Sequence, residues 1–136
     1  MSRALETLAR LQRAQIDELR IALAGVGAAR DTVAAKDGAK VSEMAHEAAL
    51  VAPADAPAFG AYAGRVLGER RVLAQEDARL LAREEELREE MRLAFQELKK
   101  IEQLIASQAE RERLAENARE LAAMDEAAIM QATRRG

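Results

Sequence analysis

Apolar residues recur along most of this chain at spacings of three and four, the period of an α-helix that buries one face. Leu5, Leu8, Ile16, Leu19, Leu23, Val26 and Val33 lie on one stripe, with Gln12 and Arg30 filling the missing steps. Val41, Met44, Ala48 and Val51 continue it in a slightly shifted phase. Further along the repeat is stricter. Val66, Arg70, Leu73, Asp77, Leu80, Glu84, Leu87, Met91, Ala94, Leu98, Ile101 and Ile105 follow alternating steps of four and three. That is a heptad seam, which favours a left-handed coiled coil. The same steps then meet Gln108, Glu112, Ala115, Arg119, Ala122 and Glu126, so the seam loses its apolar character near Ile105.

The chain has two prolines, Pro53 and Pro57. Proline lacks an amide donor and restricts the residue before it, so two this close end one helix and let another begin. Asp55 is a candidate N-cap, with Pro57 in the first turn. The pattern therefore predicts helix 1 over about 3–51, a turn at about 52–57 and helix 2 over about 57–132, in a single coiled-coil domain. Helix 1 would span about 73 Å and helix 2 about 114 Å at 1.5 Å per residue. Folded back at the prolines, helix 1 runs out opposite roughly residue 106 of helix 2. The seam loses its apolar residues at the same place. The expectation is an all-α fold, a long antiparallel two-helix hairpin with a C-terminal helical overhang.

Glycines qualify this picture. Gly25, Gly27 and Gly38 each weaken a helix by about 1 kcal/mol relative to Ala and suggest local bends, with Asp37-Gly38 a candidate break. Gly60, Gly64 and Gly68 repeat every four residues, which predicts close packing against Ala45, Ala48 and Ala49 beside the turn. Arg65, Glu69, Arg70 and Arg71 flank them and exclude a membrane span there.

Composition narrows the function. Hydrophobic residues make up 49% of the chain and charged ones 33%, but aromatics only 2%: one Tyr, two Phe and no Trp. That mix belongs to long helices and coiled coils, whereas a globular core draws on large aromatics. The net charge of −3 gives no general attraction to nucleic acid or anionic lipid. Cysteine is absent, which excludes disulfides and thiolate metal sites. No apolar run approaches a membrane span and the N-terminus has no signal-peptide core, so a soluble cytoplasmic protein with no direct membrane insertion is expected. His46 is the only histidine and has no cluster of acids around it for a metal. Ser2, Ser42 and Ser107 have no histidine partner, and there is no glycine-rich phosphate loop. The chain is therefore expected to be no enzyme and to need no cofactor.

Charged residues in the seam have a structural reading. Arg30 falls opposite roughly residue 79, about one turn from Asp77 and Glu84, so an ion pair that fixes register is expected. The acidic run Glu84–Glu90 reads as a solvated face with pairs along the helix. Two features point to partners. Phe59 and Tyr62 stand one turn apart at the start of helix 2, either as a cap on the hairpin end or as an exposed anchor. In the overhang, Leu114, Ala118, Leu121 and Ala128 form a stripe, flanked by Met124 and Ile129, which no helix of the same chain is left to cover.

The two ends carry a resemblance. Ala4-Leu5-Glu6-Thr7-Leu8 is similar to the opening helix of the FliJ family, the central-stalk proteins of the bacterial flagellar export ATPase and their type III secretion counterparts. Ala115-Glu116-Asn117, Met124-Asp125-Glu126 and the basic Arg134-Arg135 resemble the closing helix of that family. Phe59 and Tyr62 resemble aromatics at the start of its second helix. The middle of helix 1 departs from the family, being rich in Gly and Ala where larger residues are common. The resemblance implies a protein-transport role in flagellum biogenesis, cytoplasmic and peripheral to the inner membrane at the export apparatus. The joined termini would insert into a hexameric export ATPase through Leu5, Leu8, Leu114, Leu121, Met124 and Ile129. The cytoplasmic domain of the membrane export gate would be met by Met44, Phe59, Tyr62 and Val66, and export chaperones would also bind. Two other readings remain: a generic coiled-coil scaffold that self-associates through the overhang, and an amphipathic coat of the phasin type. Strict heptads disfavour the coat, which needs a broader apolar face.

Overall fold

A computed structural model describes residues 3–135. The fold is all-α, with two helices, α1 (Arg3–Leu50) and α2 (Ala56–Arg135), joined by a short 3-10 turn at Pro53–Asp55. Ala52 is extended and begins the turn, and Pro53 supplies its first residue, where a missing amide costs nothing. The Asp55 amide donates to the Ala52 carbonyl at 2.9 Å. The turn thus satisfies backbone groups where the prolines interrupt helix hydrogen bonding. α2 begins one residue before the expected boundary and continues three beyond it.

The chain divides into two compact units: Met1–Gln15 with Ala94–Gly136 (unit 1), and Ile16–Leu93 (unit 2). In unit 2, α1 contributes Ile16, Leu19, Leu23, Val26, Arg30, Val33, Asp37, Lys40 and Met44, all buried or half-buried. α2 contributes Val66, Arg70, Leu73, Asp77, Leu80, Glu84, Leu87 and Met91. Both sets step by four and three without interruption. Lys40 pairs with Glu69, Asp37 with Arg70 and Arg30 with Asp77. Partner numbers rise on α2 as they fall on α1, which is the order of antiparallel helices. In unit 1, Leu5, Ala9 and Gln12 of α1 continue the steps, alongside Ala94, Leu98, Ile101, Ile105 and Gln108 of α2. The Gln12 side-chain amide donates to the Ala94 carbonyl at 3.0 Å. From residue 66 to 108 of α2, the residues that are not exposed are those of the four-three series and no others. From 109 to 135 every residue is exposed.

Four expectations need correction. Leu8 is 49% exposed, and the seam takes Ala9, which is 1% exposed. The step from Leu5 is four residues, so Leu8 falls just off the contact line despite its larger apolar side chain. Val41 and Ala48 are exposed, and Asp37 and Lys40 hold their places because each finds an opposite charge on α2. α1 does not break at Gly38, and no glycine has a positive φ among the described residues. The Gly60, Gly64 and Gly68 stripe does not pack against Ala45, Ala48 and Ala49. A β-carbon at any of these glycines would meet nothing within 4 Å, and the three alanines are exposed.

Two substitutions check this seam. Leu87 is 1% exposed, so Leu87→Asp places an unpaired charge among apolar side chains and is expected to lower stability by about 3 kcal/mol or more. Gly38→Ala adds a methyl group into open space inside a helix and is expected to stabilise by about 1 kcal/mol. Thermal melts followed by circular dichroism would show a large fall in the first case and a small rise in the second. An unchanged melt for Leu87→Asp would mean that the seam is misplaced.

Candidate protein-binding surfaces

The seam of unit 2 carries most of the charge that is not fully in water. Arg30 donates through Nε to Asp77 Oδ1 at 3.0 Å and through Nη1 to Glu84 Oε2 at 3.3 Å. Glu84 is the buried charged residue of the core, 8% exposed, and its other oxygen lies 2.6 Å from Arg88. Two guanidiniums thus offset the desolvation of one carboxylate, which an isolated buried acid would not survive as an ion. Asp37 accepts from Arg70 Nε at 2.8 Å, and Lys40 Nζ lies 2.7 Å from Glu69. The Arg70 hydrogen bond holds the Asp37 carboxyl below the usual range, and Lys40 does the same for Glu69. These pairs match opposite charges at fixed levels, so they select register; Arg30, Asp37, Arg70, Asp77 and Glu84 also line an open groove with Gly27, Ala34 and Ala74.

At the turn, Phe59 and Tyr62 are half-buried, their ring centroids 6.1 Å apart at a tilted angle. They share a shallow groove with Glu47, Leu50, Val51 and Asp55. The Tyr62 hydroxyl is buried and makes no hydrogen bond among the described residues. Burial, and then the nearby Glu43 carboxylate, push its pKa up, while Arg65, 5.6 Å from the ring centroid, opposes the shift. The pair covers the hairpin end in part and leaves part of each ring open, so cap and anchor are both compatible with its position. Met44 is half-buried, on the seam of α1. Val66 is 5% exposed and offers no surface to a partner, because it occupies the first heptad step of α2.

In unit 1, the residues beyond Gln108 have lost the opposing helix. Leu114, Leu121, Met124 and Ile129 are 53%, 62%, 67% and 67% exposed. Leu114 and Leu121 lie two turns apart on one face, outside the line on which the seam would have continued through Glu112, Ala115 and Arg119. Helicity persists through local pairs, with Arg113 to Glu110 at 2.6 Å and Arg119 to Glu116 at 3.3 Å. Leu5 lies in a groove with Leu104, Gln108, Arg111, Glu112 and Ala115, and Met124 in a second groove with Ala128, Met130 and Arg134. The structure therefore brings Leu5 to the base of the extension, leaves Leu8 exposed on α1 and strings the other four along α2.

Among the described residues no three of His, Cys, Asp and Glu are grouped to hold a metal ion. Among the same residues no helix is long and apolar enough to cross a membrane. Comparison with family models, with curated proteins and with solved structures finds no match.

The Asp37–Arg70 pair makes a pH prediction. A carboxyl whose folded pKa is lowered stabilises the fold fully above its unfolded value, about 4, and loses that contribution as pH falls through the lowered value. Wild type is expected to melt higher than Asp37→Asn at neutral pH, with the gap closing at acid pH. A gap that is the same at both ends of the range would mean that the pair does not stabilise through its charge.

Proposed function

We propose that this protein is a non-enzymatic stalk and adaptor of the flagellar or type III export apparatus. In this reading residues 109–135, with the start of α1, enter a hexameric export ATPase and promote its assembly and turnover. The observation that carries the reading is the exposed apolar stripe on α2. Leu114, Leu121, Met124 and Ile129 sit on a continuous helix with nothing over them. Apolar surface arranged on one helical face is the form in which helices bind a groove or lumen of another protein.

The resemblance at the two ends supplies the identity of those partners. Leu5, Leu8 and the four extension residues face the ATPase ring. Phe59 and Tyr62, with Met44, face the cytoplasmic domain of the membrane export gate; Val66 drops out of this set because it is buried. Export chaperones bind the same protein. It acts in the cytoplasm, at the inner face of the export machinery, and without a cofactor.

Truncation after residue 108 removes the extension and leaves the seam residues in place. The shortened chain is expected to keep its cooperative melt and to lose stimulation of the cognate ATPase. Leu114→Asp with Leu121→Asp charges the stripe without shortening the chain and is expected to do the same. ATP turnover and ring assembly are measured with the full-length chain as control. Equal stimulation by truncated and full-length chains overturns the stalk reading. Stimulation by neither favours a general coiled-coil scaffold instead. Phe59→Ala with Tyr62→Ala is expected to leave ATPase stimulation intact and to weaken binding to the gate domain about tenfold or more, the loss typical of an aromatic anchor. Normal gate binding would make the pair a cap only.

A further inference from the structure

The hairpin end of unit 2 is one-sided in charge. No Lys or Arg lies between Lys40 and Arg65, whereas Glu43, Glu47 and Asp55 all do. Lys40 is already paired with Glu69, at 2.7 Å. Glu47 and Asp55 are exposed and make no ion pair among the described residues. α1 ends at Leu50 with no basic residue in its last turn, so its final carbonyls keep their partial negative charge. Asp55 stands just before the first residue of α2 and offsets the positive end of that helix. The field at this end is therefore negative.

Two carboxylates, Glu47 and Asp55, and two rings, Phe59 and Tyr62, line the same groove, with Leu50 and Val51 beside them. Its volume is about 300 Å³, the size of a site for one long side chain rather than for a helix. A carboxylate beside an open aromatic ring is an arrangement that holds a guanidinium. The ring face attracts the cation, and the carboxylate accepts its hydrogen bonds. Tyr62 already takes one such partner from its own chain, since the Arg65 guanidinium carbon lies 5.6 Å from the ring centroid. Arg65 does not line the groove, and no residue that does is basic.

We infer that this groove holds an arginine side chain of a partner protein, carried on a short segment with an apolar residue on either side. The guanidinium lies against Phe59 and Tyr62 and donates to Glu47 and Asp55. The flanking apolar residues cover Val51 and Leu50, which is 68% exposed. Arginine suits the site better than lysine, because its planar fork stacks on a ring and donates to two acceptors at once. A free amine or polyamine would leave Leu50 uncovered. The inference rests on Phe59 and Tyr62 acting as an anchor and names what they anchor. It does not depend on which partner carries the arginine.

Tyr62 is the only tyrosine and the chain has no tryptophan, so tyrosine emission reads this groove alone. The full-length chain is titrated with acetyl-Leu-Arg-Leu-amide and with the same peptide carrying citrulline, which keeps the shape and removes the charge. Amide chemical shifts of residues 47–62 give a second readout. The arginine peptide is expected to bind about tenfold more tightly, with an advantage that shrinks as salt is raised. Glu47→Gln with Asp55→Asn, both at exposed positions, is expected to bring the two peptides level and leave the melt unchanged. Phe59→Ala is expected to weaken the arginine peptide about threefold or more. Equal binding of the two peptides, or no binding of either up to about 10 mM, overturns the inference. So does an arginine advantage that survives the Glu47→Gln, Asp55→Asn variant, or free arginine amide that binds as tightly as the peptide. Gate-domain binding separates this inference from the gate reading. A groove indifferent to arginine, with gate binding still lost in Phe59→Ala with Tyr62→Ala, ends the inference and leaves the gate reading standing. Arginine-selective binding with normal gate binding by that double variant does the reverse.

Discussion

Two helices in contact along one line can share only one residue in every three or four, and everything else must tolerate water. In this protein the contact line is kept without a skipped step even where its residues are charged. Arg30, Asp37 and Lys40 on α1 occupy positions that apolar residues hold elsewhere, and Asp77, Glu84, Arg70 and Glu69 answer them. A seam of leucines alone stabilises well but distinguishes poorly between one register and the next heptad. Ion pairs at the seam give up some stability and penalise every slipped register, since a slip leaves charges facing apolar groups. The Arg30–Asp77–Glu84–Arg88 cluster sets which residues of α1 and α2 face each other in unit 2. That choice in turn decides which apolar residues are left over.

Two kinds of surface follow. Beside the seam of unit 2, Gly27, Ala34 and Ala74 leave an open groove in which the paired charges Arg30, Asp37, Arg70 and Asp77 are reachable. Beyond Gln108, the end of the seam leaves the stripe of Leu114 and Leu121 with local ion pairs as its main support. Both surfaces carry open grooves, one beside the charged seam residues of unit 2 and one along Met124, Ala128 and Met130 of the extension.

Most of the fold was legible because its signals are periodic. The two prolines mark the turn, and the four-three series of α2 matches burial residue by residue from Val66 to Gln108. The first helix was harder, since apolar weight and spacing disagree there. Leu8 is more hydrophobic than Ala9, yet spacing from Leu5 selects Ala9. Asp37 and Lys40 look like surface residues until the opposite strand of the seam is laid beside them. A strict count of steps from Leu5, ignoring residue type, would have found all three. Gly60, Gly64 and Gly68 misled because their spacing implies a close neighbour, whereas the contact line passes through Val66 on a different face. The partner surfaces were legible only as leftovers, since a sequence shows which residues lack cover but not what will supply it.

The central claim is that the helix pairing ends near residue 108, and the proposed function adds that the remainder of α2 is covered by the ATPase. Amide hydrogen exchange tests both halves in one experiment, because exchange slows where a helix is packed and stays fast where it frays. In the free chain, seam amides from 66 to 105 are expected to exchange slowly and those from 109 to 135 quickly. Addition of the hexameric export ATPase is expected to slow the second group and leave the first unchanged. Uniform protection along the whole of α2 in the free chain, or an extension whose exchange the ATPase does not alter, would contradict the account.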